Sequence, residues 1–346
     1  MLGVWQGNVV DSGMSPKEDH DAVWRCLLGR PDASARPDGT LPDLLAARSS
    51  RALIETLLAP LGIKLAGAAN DLLLSRLAHA AQLRAFRRLD EAGLQPVALK
   101  GFANAHRLYD DPVARIVGDL DVLIERRHLK AAIELFVPEG FRFAPAEKRW
   151  GVIGEASFAP FHSVDGVCNI DFHVSPDSWP LPLGLTAETL REKAQVVNDV
   201  RMPSDEHALL IAVSNAAKDK FGWRSLGKAL DLARLLDRSG AAMDWDEIQR
   251  RARAARLERA MGCFFALLRA LGGDAPAMPA PSGALFDALV AEWRSGFASE
   301  PAGRTVLARE AMLAHAPATA LALNLKRVGG LLKPNDGVPP EGRAYS

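Results

Sequence analysis

Cysteine is scarce in this 346-residue chain: Cys26, Cys168 and Cys263 stand far apart, with no CxxC and no paired Cys/His spacing. That excludes a disulfide framework and leaves no zinc-type ligand set, so three buried thiols in a reducing cytosol are expected. Aromatic residues are few as well, 6% of the chain, which argues against a base-stacking surface. Neither sign of charge prevails. With 42 basic and 42 acidic residues, no global field favours a long nucleic acid or a membrane surface. No apolar run reaches the roughly 18 residues of a membrane span. The start, MLGVWQGNVVDSGMSPKED, has neither the basic n-region nor the apolar core of a signal peptide. Met14 is a candidate start site, since the first 13 residues carry no periodic pattern. A cytoplasmic protein with no membrane segment is the expectation.

What the chain does have is apolar content, 48%, ample for a packed core. Its length fits two domains, or one domain with a large helical extension. Helical periodicity predicts a short helix over 19–30 and longer ones over 44–58 and 65–92. In the last of these Leu72, Leu73, Leu77, Ala80, Leu83 and Phe86 mark an apolar face. A strand at 96–99, a helix through Tyr109, a strand holding Asp119 and Asp121, a helix over 127–137 and a strand near 141–143 follow as a βαβαβ-like run. Two antiparallel strands are expected at 150–161 and 167–174, joined by the hairpin dipeptide Asp165-Gly166. Ser204 is placed to cap a nearly all-apolar helix, EHALLIAVSNAA, and further helices cover 244–272 and 284–297. The fold class is α+β: a small mixed β-sheet core flanked by N-terminal and C-terminal α-helical regions. The expected division is a helical cap over 1–94, an α/β core over 95–203, a helical domain over 204–328 and a flexible tail over 329–346.

The sharpest chemistry lies between Val97 and Ile124. Side chains at i and i+2 of a strand share a face, so Asp119 and Asp121 point one way and Leu120 and Val122 the other. Two carboxylates this close repel and raise each other's pKa unless a cation lies between them; Mg²⁺ bound by carboxylates and phosphate oxygens is the usual remedy. Upstream, Lys100-Gly101 follows a strand and opens a helix, where free N–H groups and close backbone approach suit a phosphate. Downstream, Asp171 lies on a later strand, with Cys168 and Ile170 on its other face. The segment Gly222–Ala229 nearly matches a phosphate loop, yet Ala229 lacks the required hydroxyl and a helical pattern precedes it.

Together Leu99-Lys100-Gly101, Tyr109, Arg115, Asp119-Leu120-Asp121 and Asp171-Phe172-His173 resemble the polymerase-beta-like nucleotidyltransferase superfamily. More narrowly they resemble its bacterial family of uncharacterised nucleotidyltransferases. The segment with Lys218 and Asp231 looks like that family's helical pair, and the resemblance spans about 90–240. Two positions depart from the pattern: Phe102 where a second small residue is usual, and Ser214 where a histidine is. The resemblance implies a Mg²⁺- or Mn²⁺-dependent transfer of NMP from an NTP to a hydroxyl acceptor, with release of pyrophosphate. Asp119, Asp121 and Asp171 would be the metal-binding and catalytic carboxylates, Asp171 accepting the hydroxyl proton. Lys100, Gly101, Arg115 and Lys218 would face the nucleotide, with His173, Tyr109 and Asp231 beside the site or substrate. Charge neutrality favours a small molecule or peptide acceptor over a long nucleic acid. Plainer readings compete: Arg115 paired with Asp110 or Asp111, and Asp231 in an i,i+3 pair with Lys228. The alternative function is a non-catalytic nucleotidyltransferase-like module that binds a nucleotide or a protein.

Overall fold

Serine caps and left-handed turns set many of the element boundaries in the computed structural model, which describes residues 16–32, 40–144, 157–176, 179–297, 303–314, 316, 318–323, 325 and 337–345. Three helices lead: α1 (Pro16–Leu27), α2 (Thr40–Arg48) and α3 (Arg51–Leu58). Periodicity runs through the break between the last two. Ser50 makes that break, its backbone extended and its Oγ accepting from the Leu53 N–H at 3.2 Å.

The long α4 (Ala68–Glu91) departs from the face its apolar residues predict. Leu73 and Leu77 are 59% and 55% exposed, while Ser75, Gln82, Phe86 and Leu89 are buried. The buried stripe is partly polar because part of it meets loop backbone, while Ala85, Phe86 and Leu89 join the apolar core. Ser75 Oγ donates to the Val113 carbonyl at 2.6 Å and Gln82 Nε2 to the Val117 carbonyl at 3.1 Å.

A five-stranded mixed sheet follows, from β1 (Val97–Ala98), β2 (Leu120–Leu123), β3 (Arg142–Phe143), β4 (Phe161–His162) and β5 (Asn169–His173), in the spatial order β1-β2-β5-β4-β3. Helices α5 (Lys100–Leu108) and α6 (Leu129–Phe136) lie between the strands in sequence. The βαβαβ-like order holds, but not its parallel pairing: β1 runs antiparallel to β2, and β2 alone pairs in parallel, with β5. The loop that α4 grips through Val113 and Val117 returns the chain to β2 at the end of the sheet where it left β1. Of the strand expected over 150–161, residues 150–156 lie outside the described ones; Ser157 bridges His173. The hairpin turn takes its left-handed residue at Gly166, φ 68°.

Beyond the sheet come α7 (Ala187–Glu192) and a two-stranded ribbon, β6 (Gln195–Val197) with β7 (Val200–Met202). Then follow α8 (Asp205–Lys218), α9 (Leu226–Ser239), α10 (Trp245–Ala254), α11 (Glu258–Ala270), α12 (Ala284–Arg294) and α13 (Gly303–Leu313). Ser204 caps α8, its Oγ accepting from the His207 N–H at 3.4 Å.

Two apolar cores result. One joins α1–α3 to the C-terminal helices through residues such as Trp24, Ile54, Leu230, Phe264 and Trp293. The other packs α4, α5 and α6 on the sheet through Phe86, Phe102, Val122, Ile133 and Phe172. Residues 337–345 also pack on the sheet, although looseness is expected there from their proline and glycine. Val338 is buried in the sheet core and Gly342 lies against the Phe143 ring, so closely that a Cβ would stand 2.3 Å from it.

Two buried histidines make this packing sensitive to pH. His106 lies between Phe102 and His79, at ring-centroid distances of 5.0 and 4.9 Å, and His207 is buried at the start of α8. Burial first, and nearby cations second, lower both from 6.5 to about 4. Below pH 6.5 the unfolded chain takes up protons that the native state refuses until about pH 4, so stability falls with pH across that window. Urea midpoints measured from pH 7.5 down to 4.5 are expected to drop. The His106→Phe variant should show a shallower drop; equal slopes in the two proteins would show that His106 does not titrate on unfolding.

Candidate active site

The register of β2 on β5 builds the site. Asp121 lies opposite Asp171 and Leu123 opposite His173, so strand alternation turns the four polar and apolar sets apart. Leu120, Val122, Ile170 and Phe172 enter the sheet core. Asp121, Asp171 and His173 take the other face, toward the C-terminal helices. Their ligand atoms all lie within 4.8 Å of one another. Asp119 stands just before β2 and is hydrogen-bonded with Asp171.

Charge balance there depends on Lys100. Its Nζ donates to Asp121 Oδ1 at 2.5 Å and lies 3.4 Å from His173 Nε2, which is itself 2.8 Å from that oxygen. Burial pushes Asp121 up, but the Lys100 ammonium and the His173 hydrogen bond outweigh it and hold the carboxyl below its usual range. Asp119 goes the other way: burial raises it and the Asp121 charge adds to the rise. The turn expected to be a glycine turn places its left-handed residue at Lys100, φ 48°, the first residue of α5, with Gly101 second. Leu99 supplies no side-chain cap, so the first N–H groups of α5 carry none. Two carboxylates and one imidazole, from Asp121, Asp171 and His173, form a group that could hold a metal ion.

The site opens on a cleft of about 200 Å³ between α5, the loop before β2, and the faces of α8 and α9. Lys100, Gly101, Arg115, Asp119, Asp121 and Asp231 line it. Lys218 is exposed at the end of α8 and is not among the lining residues. Arg224, Lys228 and Asn215 line the wall there instead; Arg224 and Lys228 belong to the Gly222–Ala229 segment set aside as a near phosphate loop, and no motif singled out Asn215.

Arg115 and Asp231 meet across the cleft floor. Arg115 donates from Nε to Asp231 Oδ1 at 3.0 Å and from Nη2 to Oδ2 at 3.2 Å, a bidentate pair. Tyr109 Oη donates to Asp231 Oδ1 at 2.8 Å and Asn104 Nδ2 to Oδ2 at 3.2 Å. Both plainer expectations therefore fail: Arg115 pairs with Asp231 rather than Asp110 or Asp111, and Lys228 pairs with Asp219. Burial raises the Tyr109 hydroxyl well above its normal range and the Asp231 charge adds to this. Gly227 lets α9 approach, since a Cβ there would come within 2.8 Å of Arg115 Nη2.

Removing one partner of such a pair strands the other charge. Asp231→Asn is expected to destabilise the protein by about 3–5 kcal/mol, and Tyr109→Phe by about 1 kcal/mol. Chemical denaturation of both variants checks this; equal small losses would show the pair to be dispensable.

The model of the family described as uncharacterised nucleotidyltransferase matches residues 39–273. No curated protein and no solved structure matches the chain. With more than half of its length covered, and with a buried Asp-Asp-His group able to hold a metal, the chain belongs to the uncharacterised nucleotidyltransferase family.

Proposed function

We propose that the protein is a divalent-metal-dependent nucleotidyltransferase that moves NMP from an NTP to a hydroxyl acceptor and releases pyrophosphate. The observation that carries this is the convergence of Asp121, Asp171 and His173 within 4.8 Å, beside the uncapped first turn of α5. Asp119, Asp121 and Asp171 would hold Mg²⁺ or Mn²⁺, with His173 orienting Asp121. The chemistry supplied by the bound cation is neutralisation of the triphosphate and of the pyrophosphate leaving group. Lys100 and the Gly101 N–H face the phosphates from the other side. With a cation held by the carboxylates, Lys100, which donates to Asp121 in this structure, would donate to a phosphate oxygen. The acceptor oxygen attacks the α-phosphorus, its proton passes to Asp171, and the bond to the β-phosphate oxygen breaks.

Arg115, Tyr109 and Asp231 set the cleft floor in this reading, and Arg115 presents its remaining edge to the nucleotide. The even charge balance favours a small molecule or peptide as acceptor over a long nucleic acid. Among the described residues no helix is long and apolar enough to cross a membrane. Three buried free thiols, two raised to about 12 by burial, accord with work in the cytoplasm.

Asp121→Asn is expected to lower transfer of label from an α-labelled NTP by at least about a hundredfold, with the fold intact by circular dichroism. Mn²⁺ binding followed by electron paramagnetic resonance should weaken in parallel. Full transfer by this variant would end the metal reading. A wild-type protein that binds nucleotide but transfers none with any acceptor would be the binding module instead.

A further inference from the structure

Asn215 is 7% exposed, lines the cleft from α8, and has an Nδ2 with no hydrogen-bond partner among the described residues. A buried amide donor left in that state is unfavourable, so the position makes sense when a ligand accepts from it. The rest of its wall agrees. Ala208, Ile211, Ala212 and Asn215 follow the i, i+3, i+4, i+7 stripe of one helix face, and the two alanines keep the wall clear. Beside it, Lys228 at the start of α9 pairs with Asp219 and donates to the Arg224 carbonyl at 3.3 Å. Arg224 lies exposed at the same wall, its guanidinium 5.5 Å from the Trp223 ring centroid.

We infer that Asn215, Lys228 and Arg224 form an oxyanion subsite on the helical wall of the cleft. An ammonium and a guanidinium only donate, and the free end of the Asn215 amide is its donor end. The complementary ligand is therefore an acceptor-only anion, a phosphate or carboxylate. The opposite wall carries the carboxylates Asp119 and Asp121, which would meet a phosphate through a bound cation, whereas this wall would meet it directly. Asp231, the remaining carboxylate of the cleft lining, is engaged by Arg115. Resting on the nucleotidyltransferase reading, this subsite takes either the terminal phosphates of the donor or an anionic group of the acceptor.

Calorimetry separates these sources. ATP, AMP and metal-free tripolyphosphate are titrated into wild type, Asn215→Asp, Asn215→Leu and Lys228→Met, each first shown to unfold as cooperatively as wild type. Inorganic phosphate is titrated into each protein already saturated with a non-hydrolysable ATP analogue and Mn²⁺. Asn215→Asp is expected to weaken at least one phosphate-bearing probe tenfold or more, with AMP unchanged and Lys228→Met following it. Weaker ATP and tripolyphosphate binding assigns the subsite to the donor; weaker inorganic phosphate binding to the saturated protein assigns it to the acceptor. Wild-type affinity for all of these in Asn215→Asp overturns the subsite. Mn²⁺ binding alone is measured in parallel: its absence in wild type would sink the metal reading without touching the subsite.

Discussion

Like-charge repulsion between carboxylates governs this molecule. The parallel register of β2 on β5 forces Asp121 opposite Asp171, and Asp119 follows two residues before Asp121 on the same chain. Nothing in an isolated sheet would tolerate that density of negative charge below the surface. Lys100 and His173 make it tolerable by bonding one oxygen of Asp121. The opposite shifts of Asp119 and Asp121 show how uneven that compensation is: the Lys100 charge lowers both, its hydrogen bond goes to Asp121, and burial with the Asp121 charge keeps Asp119 raised. A cluster balanced in this way has an obvious place for a divalent cation.

A second ionic arrangement holds the first in place. Arg115, in the loop that enters β2, is bound in bidentate fashion to Asp231 on α9, with Tyr109 and Asn104 completing the shell. This ties the sheet core to the helical core at the cleft floor. The loop is also held from behind by Ser75 and Gln82 of α4. The position of Asp119 is thus set by hydrogen bonds arriving from both sides, and its own strand contributes little.

Legibility followed the range of the interaction. The Ser204 cap and the Asp165-Gly166 turn rest on neighbours within a few residues. The Ser50 cap is missed when one helical period is drawn over 44–58, across Arg48-Ser49-Ser50-Arg51. The misread face of α4 has a different cause. Hydrophobic periodicity assumes that buried means apolar, whereas α4 buries serine and glutamine to satisfy loop carbonyls. His173 and Asp231 were visible as residues, but their partners were not.

The sequence by itself determined the α+β class, the order of helices and strands, and the acidic pair beside a lysine-glycine turn, because each has a local period or a short motif. Only the tertiary structure decided that β1 runs antiparallel to β2, that Arg115 meets Asp231, and that Asn215 faces the cleft. The physical reason is separation along the chain. Arg115 and Asp231 lie 116 residues apart and Asp121 and His173 lie 52 apart; no window short enough to carry a pattern contains both members of either pair.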